Sequence, residues 1–90
     1  MLIVEVSSRF HRSFRHLPLR VQDDFQTRIT RFQLEPFDPT LRTHKLSGGL
    51  EGHYSFSLTD GHRVLFEFMS DNVVLLVNVG SHDAYKKWPR

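Results

Sequence analysis

Three short polar clusters, separated by strand-like segments, carry the side chains best suited to chemistry on phosphate. They are His44 with Lys45, then Arg63, and finally His82 with Asp83 and Tyr85. Imidazole exchanges a proton near neutral pH, and guanidinium binds phosphate through paired charge-assisted hydrogen bonds. If the intervening strands form one sheet, the clusters share a surface that would suit phosphodiester cleavage.

The second half of the chain predicts the sheet that would position these clusters. An alternating run over residues 54–59 ends at Asp60-Gly61, a two-residue hairpin signal. A second run over residues 63–68 ends at Asp71-Asn72, and a third covers 73–79. We expect three antiparallel strands in a meander. The face opposite the large aromatic side chains would be open to solvent and partners, and we place on it His53, Ser55, Ser57, Arg63 and Glu67.

The first half predicts a short strand and two helices. Residues 2–6 read as a strand, and Ser7 or Ser8 can cap the helix that follows, which should run to about Leu17. Beyond Pro18 a second helix carries an apolar stripe and ends before Pro36 and Pro39. The stripe consists of Val21, Phe25, Ile29 and Phe32.

Residues 36–52 show little periodicity and predict a surface loop that delivers His44 and Lys45 to the sheet. Helices grouped before strands favour an α+β fold, with the helical hairpin packed on one face of an antiparallel sheet. For Trp88 we expect packing against the sheet, with exposure to a partner as the alternative.

Composition limits the function classes. Ninety residues suit a single domain, residues 1–90, and the absence of cysteine excludes a disulfide framework and thiolate metal sites. No stretch is apolar enough to span a membrane or serve as a signal peptide, so we expect a cytoplasmic protein. Eight of the twelve Lys and Arg precede Leu46, against five acidic residues. This bias permits an RNA, DNA or acidic-protein partner, and an ordinary solvated helical face remains the alternative.

Three segments carry a resemblance that covers nearly the whole chain: HKLSGGLEG at 44–52, GHRVLFEF at 61–68 and VGSHDAY at 79–85. In this order, after a strand and two helices, they are similar to the RelE/ParE toxin superfamily of type II toxin–antitoxin systems. The resemblance implies a β-α-α-β-β-β fold and a ribosome-dependent mRNA endonuclease of the YafQ and RelE type, held inactive by an antitoxin. It implies no metal and no cofactor.

In that family the ribose 2′-OH attacks the adjacent phosphate, which leaves a 2′,3′-cyclic phosphate and a 5′-OH. The resemblance assigns Arg63 to the scissile phosphate, His82 as general acid and His44 as base or 2′-OH positioner, although the two histidines could exchange roles. Lys45, Asp83 and Tyr85 would support them.

The chain departs from the YafQ pattern, because Ser57 and Gly61 stand where such toxins carry a further histidine and an aspartate. The ribosome would have to supply what is missing.

Other interpretations stay open. Arg63 could form a surface salt bridge with Glu67, His82-Asp83 could be a helix-start pair, and His44-Lys45 could be ordinary loop polarity. The histidines at positions 11, 16, 53 and 62 are expected to be solvated or half-packed. At the level of function, the alternatives are a ParE-like inhibitor of DNA gyrase without nuclease activity, and an inactive interaction module. The sequence identifies neither the antitoxin nor the codon preference.

Overall fold

The described part of the chain, residues 1–47, 49–86 and 88, begins with a strand and two helices and continues into a sheet; for Tyr85 and Lys86 only the backbone is described. In this computed structural model the order is β1 (Ile3–Val6), α1 (Ser8–Phe14), α2 (Leu19–Leu34), a 3₁₀ turn (Pro39–Leu41), β2 (His44–Lys45), β3 (Tyr54–Ser57), a 3₁₀ turn (Thr59–Gly61), β4 (His62–Phe68), β5 (Val73–Ser81) and α3 (His82–Lys86). None of the helices described is long and apolar enough to cross a membrane.

Both helices begin where the sequence predicts. The Ser7 hydroxyl accepts a hydrogen bond from the Phe10 amide at 3.0 Å and so caps α1. It also donates to the Val77 carbonyl at 2.7 Å, which ties the start of α1 to β5. Helix α1 ends at Phe14, a turn earlier than expected, and Pro18 is the residue that precedes α2.

The predicted stripe of α2 forms the main core with one face of the sheet. Val21, Phe25 and Phe32 are buried, and Ile29 packs against them. The ring of Phe32 stacks on Phe56 at a centroid distance of 4.6 Å and meets Phe66 edge-on at 4.8 Å. Aromatic pairs of this kind contribute beyond their buried area, so Phe32 fixes how α2 lies across β3 and β4.

Within the described residues five strands form one sheet in the order β1-β5-β4-β3-β2. The meander of β3, β4 and β5 is antiparallel as predicted. Asp60 and Gly61 both have positive φ, at 56° and 72°, which suits the tight turn expected of this pair. The predicted α+β fold is confirmed, and the sheet is mixed because the N-terminal strand β1 pairs with β5 in parallel.

The segment predicted as a plain loop, residues 36–52, contains the 3₁₀ turn and the edge strand β2. His44 lies opposite Ser55, and Lys45 lies opposite Tyr54. A strand of two residues is too short to show an alternating pattern, so periodicity could not reveal it.

The sheet face away from the helices is less open than predicted. Leu46 and Leu50 fold back over it and bury Leu65, with Val77 and Trp88 packed beside them. Ser55, expected at the surface, is completely buried. The packing interpretation of Trp88 is confirmed. The polar residues at this face therefore surround a small second core.

One irregularity interrupts the β4–β5 ladder. Leu65 pairs with Asn78 and Phe66 pairs with Leu76, so β5 carries one extra residue, Val77, between them. This is a β-bulge. Before it Leu76 belongs to the main core, and after it Val79 does.

Candidate phosphate-binding site

Arg63 and His82 come together at one end of the β4–β5 ladder. Arg63 pairs with Gly80 and His62 pairs with Ser81, after which α3 begins at His82. Strand spacing places the Cα atoms of Arg63 and His82 roughly 8 Å apart. Side chains of this length can reach a common phosphate, so these two residues form the centre of the candidate site.

The position of His82 is fixed by a cap. The Ser81 hydroxyl accepts a hydrogen bond from the Ala84 amide at 3.2 Å, which starts α3 directly at the end of β5. His82 is exposed, and Arg63 is partly exposed. The helix-start interpretation of His82-Asp83 is therefore correct for the backbone, and it leaves the imidazole at the surface beside β4.

His44 lies on the same face but farther away. His44 pairs with Ser55 and Arg63 pairs with Ser57, so His44 and Arg63 lie on opposite sides of β3 and are offset by two residues along it. Standard spacing gives roughly 12 Å between the Cα atoms of His44 and Arg63, and roughly 20 Å between those of the two histidines. The His44 Nδ1 lies 3.0 Å from the carbonyl oxygen of Arg42 and donates to it, since a carbonyl can only accept. In neutral His44 this leaves Nε2 as the acceptor.

The three residues predicted to support the site, Lys45, Asp83 and Tyr85, do not all lie beside Arg63 in the described structure. Lys45 pairs with Tyr54, which packs against the main core, so strand alternation places it on the opposite face from His44 and Arg63. Asp83 is exposed in α3 beside His82. The side chain of Tyr85 lies outside the described residues.

Helix α2 holds the β3–β4 turn that leads into Arg63. One carboxylate oxygen of Asp24 accepts from the Arg28 Nε at 2.7 Å and from the Thr59 amide at 2.8 Å. Arg20 adds an ion pair with Asp60 in the turn itself. Because these contacts link α2 to the residues just before β4, the helix helps to set the position of Arg63.

The remaining histidines of the sheet have structural contacts. Nε2 of His53 lies 3.2 Å from the Glu67 carboxylate, and Nδ1 of His62 lies 3.3 Å from the carbonyl oxygen of Thr59. Among the described residues no group of three His, Asp or Glu side chains could hold a metal ion.

Sequence reasoning missed a polar cleft of about 320 Å³ next to Arg63. The polar residues that line it are Arg28, Thr40, Arg42, Ser57, His62 and Arg63. Two signals in the sequence pointed to it. Asp24 and Arg28 have the spacing of a helical ion pair, and Asp38-Pro39 is the start signal of a turn that ends at Arg42.

The turn before the cleft is held by Asp38. Its carboxylate accepts from the Thr40 hydroxyl at 2.6 Å and from the Thr40 amide at 2.8 Å, and the Arg31 guanidinium lies 3.5 Å away. The hydrogen bonds from Thr40, with a smaller effect of Arg31, hold the pKa of Asp38 below its ordinary value. Arg42 ends the turn in the left-handed region, with φ 52°.

No protein-family model matches the sequence, and no curated protein matches it either. Solved structures do. The chain is similar to the YafQ structure from E. coli strain BL21(DE3), with a TM-score of 0.74 and 13% identity over 94% of this chain and 98% of that one. It is also similar to a chain of the YoeB–YefM complex from Staphylococcus aureus, with a TM-score of 0.73 and 15% identity over 91% and 98%.

A third likeness is to a chain of the intact E. coli RelBE toxin–antitoxin complex, with a TM-score of 0.70 and 19% identity over 90% of this chain and 96% of that one. In all three comparisons the likeness spans both chains almost completely. With its N-terminal strand, two helices and mixed sheet, the chain therefore shares the RelE-like α+β fold of these three structures.

Proposed function

We propose that this chain is the toxin of a type II toxin–antitoxin pair and that it cleaves mRNA on the ribosome. The observation that carries the proposal is the placement of Arg63 and His82 at one end of neighbouring strands. The likeness to YafQ, YoeB and RelBE structures supports the toxin role through the fold. A guanidinium and an exposed imidazole placed at the same end of neighbouring strands fit a phosphoryl reaction that needs no cofactor.

In the proposed reaction a ribose 2′-oxygen gives its proton to water and forms a bond to the adjacent phosphorus, and the bond from phosphorus to the 5′-oxygen breaks. Arg63 binds the phosphate oxygens, where charge develops. His82 gives its proton to the leaving 5′-oxygen. The products are a 2′,3′-cyclic phosphate and a 5′-OH.

His44 takes a supporting role in this scheme. Its Nδ1 donates to the Arg42 carbonyl, so its Nε2 can accept a hydrogen bond from a ribose hydroxyl. We give the proton transfer to His82 because its Cα lies roughly 8 Å from that of Arg63, against roughly 12 Å for His44, which would then orient the 2′-OH. Ser57 and Gly61 offer no strong acid or base nearby, and we propose that the ribosome completes the site.

An antitoxin is the proposed protein partner. The YoeB–YefM and RelBE structures are toxin–antitoxin complexes. Apolar side chains are exposed on several elements of this chain, including Ile3, Leu19, Leu34 and Phe37. Exposed apolar surface is typical of protein contacts, so these positions are where an antitoxin would gain most from burial.

The test is to add the purified protein to a translating ribosome system and to map message ends by primer extension. Cuts are expected with the unaltered protein and should fall about 100-fold or more in Arg63→Ala, the scale for losing an oxyanion donor. His82→Ala should also lose cutting, whereas Arg12→Ala and His16→Ala, which alter exposed residues of the helical segment, should not.

Absence of cuts, or equal cutting by the His82→Ala variant, would overturn the nuclease proposal. A gyrase supercoiling assay with the same samples distinguishes the ParE-like alternative, which would inhibit supercoiling and leave messages intact. If neither activity is present and expression is harmless, the chain is an inactive interaction module.

A further inference from the structure

The cleft next to Arg63 has the composition of an anion site. Three guanidinium groups line it, from Arg28, Arg42 and Arg63, and none of the described residues that line it is acidic. Its volume of about 320 Å³ lies in the range of roughly 300 to 1,000 Å³ found for small-ligand sites. Arginine is the side chain that best matches the geometry of phosphate.

The arginines of the cleft differ in the hydrogen bonds and ion pairs that their side chains form within the protein. Arg28 is committed to structure: its Nε binds Asp24 at 2.7 Å, and its Nη1 donates to the Thr40 carbonyl at 3.2 Å and the Ser57 carbonyl at 3.5 Å. These bonds join α2, the 3₁₀ turn and β3, and so they form one wall of the cleft. The charge of Arg28 is largely balanced by Asp24.

The positive charge of Arg42 is not balanced by a carboxylate among the described residues. Within residues 1–47, 49–86 and 88 its guanidinium makes no hydrogen bond or ion pair, and the side chain is exposed. Its backbone nonetheless has φ 52°, a conformation that costs about 1 kcal/mol or more for a residue other than glycine. The structure bears that cost because the Asp38 cap and a hydrogen bond from the Thr43 hydroxyl to the Pro36 carbonyl hold the turn.

The cleft is continuous with the catalytic centre through Arg63, which lines it and faces Gly80 beside His82. It also adjoins His44, whose Nδ1 donates to the Arg42 carbonyl. A strand of nucleic acid with one phosphate at Arg63 therefore has a second cationic group available along its path. Ser57 offers a hydroxyl group there as well.

We propose that this cleft is a second phosphate subsite for single-stranded RNA, in which Arg42 binds the backbone phosphate next to the one at Arg63. The inference rests on the proposed function, since it takes RNA as the ligand, but it concerns binding and not bond cleavage. Arg42 selects no base; it sets the register of the strand so that the neighbouring phosphate reaches Arg63 and His82.

The test measures binding of a fluorescent 2′-O-methyl RNA hexamer, which cannot be cut through its 2′-oxygen, by anisotropy over a series of salt concentrations. Each phosphate contact to a single strand contributes about 0.7 to the slope of log affinity against log salt. Arg42→Ala should therefore reduce the slope by about 0.7, and Arg42→Lys should keep it. Arg12→Ala, on exposed helix α1 outside the cleft, is the matched control. Circular dichroism and thermal melting confirm that each variant is folded.

Equal slopes for Arg42→Ala, Arg12→Ala and the unaltered protein would overturn the subsite, as would absence of binding at low salt. The nuclease proposal fails separately, by absence of ribosomal cuts in a protein whose RNA binding still depends on Arg42. If the hexamer slope depends on Arg42 and cuts appear, both stand.

Discussion

Gly80 lies directly opposite Arg63 in the β4–β5 ladder, and the space that a side chain would take there is filled by the C-terminal segment. A Cβ placed on Gly80 would lie 3.2 Å from the Cβ of Ala84 and 3.3 Å from Cζ2 of Trp88. The residue next to the principal cation of the site is thus small because α3 and Trp88 approach it closely.

Gly80→Ala should therefore displace Trp88 or Ala84 by a few tenths of an ångström, because the added Cβ is closer to both than ordinary van der Waals contact allows. Trp88 is the only tryptophan, so its emission reports this directly. Gly61→Ala is the control, because it meets no atom within 4 Å but has φ 72°, and its cost is confined to the backbone. Unchanged emission in Gly80→Ala would contradict the close approach.

Asp38 should make stability depend on pH. Its hydrogen bonds from Thr40 lower its pKa in the folded state, so the unfolded chain binds the proton more readily. The stabilisation is fully present above the ordinary pKa of the carboxyl group and is lost as the pH falls through the lower folded-state value. Denaturant unfolding should therefore show Asp38→Asn less stable than the unaltered protein at pH 7, with the difference shrinking in acid. Asp23→Asn, on the exposed side of α2, is the comparison.

Ser55→Ala should raise the free energy of unfolding by about 1 kcal/mol. Among the described residues the buried Ser55 hydroxyl has no hydrogen-bond partner, and such a group costs free energy until it is removed. Ser13→Ala is the matched opposite, because its hydroxyl donates to the Asn78 side chain at 2.8 Å and its loss should cost about 1 kcal/mol. Urea midpoints for both variants decide the matter; a large loss in Ser55→Ala would show that the hydroxyl is satisfied in solution.

The parts of the fold that the sequence predicts are those coded locally. The stripe of α2 and the Asp60-Gly61 turn each depend on a few neighbouring residues, and both are confirmed. The parallel pairing of β1 with β5 depends on residues about seventy positions apart, such as Ile3 and Val73. No local pattern distinguishes that pairing from an antiparallel one.

In the candidate site, too, some residues could be placed from the sequence and others could not. The relation between Arg63 and His82 followed from one predicted meander, so the residues could be placed together in advance. Arg42 could not, because its place in the cleft depends on a left-handed backbone angle and on the packing of the 3₁₀ turn against α2. Lys45 was misjudged because the two-residue strand that turns it to the other face was not recognised.

Val77, the unpaired residue of β5, affects which of the following side chains face the candidate site. Side chains along a strand alternate between faces, so an extra residue exchanges the two sets that follow it unless a bulge absorbs it. With Val77 in the bulge, Val79 enters the main core and Gly80 stands beside Arg63. If β5 kept all its residues but paired with β4 without the bulge, Val79 would lie opposite Arg63 in place of Gly80, and the start of α3 would turn to the other side. The bulge at Val77 thus sets which side chains of β5 face Arg63, although Val77 itself carries no polar group.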